Sequence, residues 1–126
     1  MNVLVDTSVW VAHFRQLNGA LVSLIEHDCV LGHPFVLAEL ACGTPPAPRA
    51  QTLGDMSLLR QVHQASSAEV MAFIEREKLY GLGCGFVDIA LLASACITPA
   101  ATLWTLDKKL ADLARRFHVQ FAPSLH

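Results

Sequence analysis

Four of the eleven acidic residues stand where solvation does not account for them. Asp6 closes the apolar run Val3-Leu4-Val5 and is followed at once by Thr7-Ser8-Val9-Trp10. Glu39 sits inside Phe35-Val36-Leu37-Ala38-Glu39-Leu40-Ala41, and Asp88 inside Phe86-Val87-Asp88-Ile89-Ala90-Leu91-Leu92. Neither of these runs contains a lysine or arginine. A buried carboxylate without a partner is costly or is forced neutral, so two partners come into question. One is a basic side chain from elsewhere in a buried salt bridge. The other is a single cation shared by several acids. Asp107 follows Thr102–Thr105 much as Asp6 follows the first run. The simpler reading of Asp6, Ser8 and Asp107 is that they cap helix starts. Ser8 lies two residues after Asp6 and Thr105 two before Asp107, spacings that suit a hydroxyl orienting a carboxylate or an ordinary turn bond. If the acids share a cation, all-oxygen ligands without histidine or cysteine select Mg²⁺ or Mn²⁺.

The remaining acids, Glu26, Asp28, Asp55, Glu69, Glu75, Glu77 and Asp112, lie in polar company and need no special account. His13, His27, His33, His63, His118 and His126 show no paired spacing and read as surface or satisfied side chains. Cys29, Cys42, Cys84 and Cys96 are widely separated, form no C-x-x-C pair, and read as reduced, buried thiols. Lys108-Lys109 and Arg115-Arg116 read as the solvated face of the last helix, with Lys108 and Lys109 close enough to Asp107 to meet a phosphate group bound there.

The acids need elements to hold them. Val3-Leu4-Val5 has the pattern of a strand buried on both faces, so Asp6 falls at the carboxyl edge of a sheet, where open α/β folds bind ligands. A first helix follows through Phe14, and a second, with Leu21, Leu24 and Ile25 on one face, runs to Asp28. Cys29–Gly32 reads as a strand, and His33-Pro34 starts an apolar helix, Phe35 to Cys42, that ends at Gly43. Thr44-Pro45-Pro46-Ala47-Pro48 is a rigid loop. Arg49 to Gln61 reads as helical, Val62 to Ala65 as irregular. Ser66-Ser67-Ala68-Glu69 has capping-box spacing before a helix with Val70, Phe73 and Ile74 on its apolar stripe. A glycine-rich turn, Tyr80 to Gly85, leads to an apolar helix, Phe86 to Cys96. Thr102–Thr105 reads as a strand, Asp107 starts a helix with Leu110, Leu113, Ala114 and Phe117 on one face, and Val119–Ala122 reads as a final edge strand. This alternation predicts a parallel sheet with right-handed crossovers.

The bulk properties agree. A chain of 126 residues, 53% hydrophobic and 16% charged, is expected to form one domain over 1–126, with helices buried on more than one side. A net charge of −2 advertises no nucleic acid, so any phosphate-binding surface must be local. The start has no basic segment or cleavage site of a signal peptide, and the apolar stretch from Ile89 to Trp104 is broken by Pro99. The expectation is a soluble, cytoplasmic protein without a membrane span.

Val5-Asp6-Thr7-Ser8-Val9-Trp10, a lone Glu39 in an apolar helix, Asp88 opening another, and Trp104-Thr105-Leu106-Asp107 after a late strand together resemble the PIN domain. More narrowly, they resemble the VapC-type toxins of bacterial toxin–antitoxin pairs. The resemblance runs over essentially the whole chain, and its specificity lies in the ordered set of four acids. It departs at Leu110, near where members often carry phenylalanine. It implies a three-layer α/β/α fold around a small parallel sheet of four to five strands. It also implies a metal-dependent endoribonuclease whose acids are Asp6, Glu39, Asp88 and Asp107, inhibiting translation or growth. The implied partners are RNA, a small VapB-like antitoxin covering the acidic pocket and, commonly, a second copy in a homodimer. A degenerate member that binds protein or RNA without cutting is the alternative. A haloacid-dehalogenase-like phosphatase is excluded because Ser8 stands where its second aspartate is needed, and a response-regulator receiver because its acidic pair is missing.

Overall fold

β1 (Asn2–Val5) is an inner strand, with Val3, Leu4 and Val5 fully buried. The computed structural model describes residues 1–123; residues 124–126, including His126 with its surface reading, lie outside the described residues. β1 pairs in parallel with β2 (Val30–Gly32) on one side and β4 (Ala101–Trp104) on the other, and β2 pairs in parallel with β3 (Arg60–Gln61). The order is therefore β3-β2-β1-β4. Continuous apolar runs are what strands covered on both faces require. The cover comes from seven helices among the described residues: α1 (Thr7–Arg15), α2 (Gly19–Glu26), α3 (Pro34–Cys42), α4 (Arg49–Ser57), α5 (Ser67–Glu77), α6 (Phe86–Ile97) and α7 (Lys108–Arg116). α1 packs on α3 and α3 on α4, while α6 packs on both α5 and α7. The architecture is the expected three-layer α/β/α fold.

The order of strands creates the place for a site. The chain winds from β1 through β2 to β3 in one direction, then returns to add β4 on the other flank of β1. The carboxyl ends of β1 and β4 thus border the crevice where the winding reverses, which is the general ligand position in such sheets. Among the described residues no helix is long and apolar enough to cross a membrane.

Several expectations need correction. Arg49–Gln61 is not one helix: α4 stops at Ser57, and Arg60–Gln61 forms β3. Its hold is tertiary, because Arg60 donates to Asn2 Oδ1 at 3.0 Å and to the Asp28 carbonyl at 2.6 Å. Val119–Ala122 is not a full strand. It meets β4 through one bridge, Leu103 to Gln120, with Leu103 N donating to the Val119 carbonyl and Phe121 N to that of Leu103. The cysteines are not buried: Cys42 and Cys96 are exposed and Cys29 and Cys84 partly so. His33 departs in the other sense. Its ring is buried, Nδ1 accepts from Phe35 N at 3.0 Å, and Nε2 has no partner among the described residues. The capping box at Ser66 and Glu69 forms as expected.

Candidate active site

The register of β1 against β4 builds the centre of the site. Val5 pairs with Trp104, so Asp6 and Thr105 are the next residues out of the sheet on adjacent strands. Asp6 N donates to the Trp104 carbonyl at 2.9 Å, which holds the two strand ends together. The Asp6 side chain is only 6% exposed. It occupies the N-cap position of α1, yet its carboxylate makes no capping bond. Instead Oδ2 accepts from Ser8 Oγ at 2.8 Å and from Thr105 Oγ1 at 2.7 Å. Each hydroxyl is itself fixed by a backbone donor: Leu106 N bonds Ser8 Oγ and Asp107 N bonds Thr105 Oγ1, both at 3.0 Å. Both hydroxyl protons are therefore committed to Asp6, and hydroxyls already accepting a bond donate more strongly. The orienting roles expected of Ser8 and Thr105 are realised at one carboxylate.

Glu39 reaches the same edge from α3. Its expected burial is overturned: Glu39 is exposed, as are its helix neighbours Phe35, Ala38 and Cys42. Its Oε1 accepts from Thr7 Oγ1 at 2.7 Å. Thr7 was missed as a site residue. The available signal was a hydroxyl immediately after Asp6 in the first turn of α1. Asp88 enters from the first turn of α6, half-buried, with Oδ2 accepting from Gly85 N at 3.3 Å. Asp107 is the N-cap of α7, where Oδ1 accepts from Leu110 N at 3.0 Å. The capping reading thus holds for Asp107 and fails for Asp6. The salt-bridge reading fails for Glu39 and Asp88, since among the described residues the ion pairs of the carboxylates involve only Asp28, Glu77 and Asp112.

Asp88 reports the electrostatics of the cluster. Desolvation raises its carboxyl above the ordinary range, and the negative charges of Asp6, Asp107 and Glu39 add to that rise against the opposing Gly85 N–H bond. Asp88 therefore senses the other three acids. Lys109 lies on the rim: an ideal Cβ on Gly83 would fall 2.6 Å from its Nζ, so the lysine chain lies directly over that glycine. The same ammonium acts on the Cys84 thiol, which burial, Asp88 and Asp107 push up. Lys108, the other expected contact, is exposed in the first turn of α7.

The donor set fits a hard divalent cation in chemistry, being oxygen only, and in convergence on one sheet edge. It does not yet fit in ligand spacing, since among the described residues no three histidine, cysteine, aspartate or glutamate side chains stand close enough to hold one ion.

A parallel sheet of this order, carrying acids at the ends of β1 and β4 and on α3 and α6, defines a class, and the profile of the PIN domain matches residues 3–116. The chain belongs to the PIN domain family. Among individual proteins it is 40% identical over 108 residues to Ribonuclease VapC32 of Mycobacterium tuberculosis (strain CDC 1551 / Oshkosh), a match covering 86% of each chain. The same identity and coverage hold for Ribonuclease VapC32 of Mycobacterium tuberculosis (strain ATCC 25618 / H37Rv). No solved structure gives a significant match.

Proposed function

We propose that this protein is a Mg²⁺- or Mn²⁺-dependent endoribonuclease acting as the toxin of a toxin–antitoxin pair. The observation that carries the reading is the convergence of Asp6, Glu39, Asp88 and Asp107, sensed at Asp88, in a chain of the PIN family. When bound, a divalent cation supplies Lewis acidity toward the scissile phosphate and the attacking water. The chain's own groups prepare that chemistry. Ser8 and Thr105 hold Asp6 in one orientation by donating to Oδ2. Oδ1 takes no hydrogen bond among the described residues and is left to face a ligand. Thr7 steadies Glu39 in the same way. Asp6, Glu39 and Asp88 would hold the cation once their side chains draw together, and Asp107 would complete the set with the oxygen its cap bond does not use. Lys109, and Lys108 beside it, neutralise RNA phosphate at the rim.

The likeness to Ribonuclease VapC32 supports an RNA substrate and, through the VapC designation, a small VapB-like antitoxin that covers the acidic pocket. A homodimer is supported by uncovered apolar surface: Phe35 and Phe86 are 37% and 41% exposed, with ring centroids 6.4 Å apart. Four free cysteines suit a reducing cytoplasm.

Incubating the purified protein with RNA in Mg²⁺ or Mn²⁺ tests the reading. Cleavage should appear and should stop when a chelator is added in excess. Cleavage that persists in chelator would overturn the metal mechanism and return attention to the histidines. Binding without cutting in either metal would make the protein a degenerate member of the fold. Expression alone should also arrest growth of the host, and Asp6→Asn should relieve the arrest.

A further inference from the structure

A groove of about 410 Å³ lies between α1, α3 and the proline loop. Val11 and Phe14 of α1 and Pro45-Pro46 give it apolar walls, and Glu39 lines it too, so it is continuous with the acid site. Arg15 is the one cation among its lining residues. That guanidinium makes no ion pair and no hydrogen bond among the described residues, and the distance to Glu39 exceeds that of a salt bridge. Phe14 is half-buried, and its packing against Trp10, with ring centroids 6.1 Å apart, fixes the ring while leaving part of it to the groove.

We infer that this groove is a subsite for one nucleotide of single-stranded RNA, with the base against Phe14 and Pro45-Pro46 and its phosphate on Arg15. The inference rests on the ribonuclease reading above. Its support is continuity and charge. A strand whose scissile phosphate lies at the acids must leave them along some surface, and phosphates are repelled everywhere near the cluster except beside a cation. Arg15 supplies that cation in the groove that Glu39 also lines. Combining a cation for the backbone with an aromatic face for the base is the general solution for unpaired nucleic acid. The volume falls within the range of small-molecule sites, roughly 300–1,000 Å³, which admits a nucleotide and no duplex. A wall of rings and prolines has few groups to read a base edge, so the subsite tolerates different bases and demands that one be present.

Fluorescence anisotropy with a labelled single-stranded oligoribonucleotide, metal chelated so that nothing is cut, tests the assignment. Arg15→Gln should weaken binding about fivefold and reduce the dependence of log K on log salt by about 0.7, the value for one phosphate on a single strand. Arg15→Lys should restore the salt dependence. Thr44→Glu, on the exposed loop lining the same groove, should weaken binding without disturbing the fold. An abasic residue walked along the oligonucleotide should cost wild-type binding about tenfold at one position. Unchanged salt dependence in Arg15→Gln together with no sensitive abasic position would overturn the subsite and leave the ribonuclease reading standing. A wild-type protein that neither binds this RNA nor cuts it in Mn²⁺ would overturn both.

Discussion

Asp6 and Asp88 are held in opposite ways, and the difference makes their substitutions distinguishable. Asp6 is buried but doubly bonded, so removing a donor exposes the cost of its burial. Thr105→Val should destabilise the protein by about 1.5–3 kcal/mol, the range for a hydrogen bond to a charged group, read from urea melts. Asp88 lacks such support, and its folded-state carboxyl is raised by desolvation and by its acidic neighbours. Below the ordinary carboxylate range both folded and unfolded chains hold the proton, and Asp88 costs nothing. As pH rises through that range the unfolded chain ionises first, so stability falls until the raised folded value is passed. Asp88→Asn should therefore stabilise the metal-free protein at pH 7 by about 0.5–1 kcal/mol, solvent screening keeping the gain modest. The gain should vanish below about pH 3, and the added stability that Mn²⁺ confers on wild type by mass action should shrink. Destabilisation by several kcal/mol with an unchanged Mn²⁺ response would instead mark Asp88 as a structural acid. At this scale Asp88 was legible as a carboxylate set in an apolar run, and the hydrogen-bonding of Ser8 and Thr105 from their two-residue spacing to Asp6 and Asp107. Thr7 was not, because a helix-start hydroxyl has an ordinary explanation.

Helix starts and one turn deliver the acids, and the turn is the fragile part. Gly83 has φ +84° and lies under the Lys109 side chain. Gly83→Ala should cost about 1–2 kcal/mol from the left-handed backbone and should also push Lys109 from the rim, weakening RNA cleavage. Ser66→Ala removes the cap of α5 at a cost of about 1 kcal/mol and should leave cleavage unchanged. Equal activity in the two variants would remove Lys109 from the site. β1, β2 and β4 were legible as short apolar runs between helical patterns. β3 was not, because Arg60 and Gln61 are exposed and polar, and only pairing with Leu31 and Gly32 makes them a strand. The exposure of Glu39 was also illegible, since an apolar helix reads the same whether its outer face is covered or open.

For the molecule as a whole, the uncovered face around Phe35 and Phe86 predicts self-association. Wild type should sediment as a dimer and Phe35→Glu as a monomer, with near-identical far-UV spectra; a monomeric wild type would contradict the dimer. The central claim is that the acids at the ends of β1 and β4 are a cutting site and not only a cluster of charges. Asp6→Asn tests it most directly, because asparagine can keep an oxygen for Ser8 and Thr105 while losing the charge. Cleavage of one RNA in Mn²⁺ by wild type and Asp6→Asn, matched for folded fraction, is the measurement. The account predicts a loss of at least about 10²-fold, the scale on which single groups stabilising charge in a reaction commonly act. Cleavage by Asp6→Asn at the wild-type rate would contradict it.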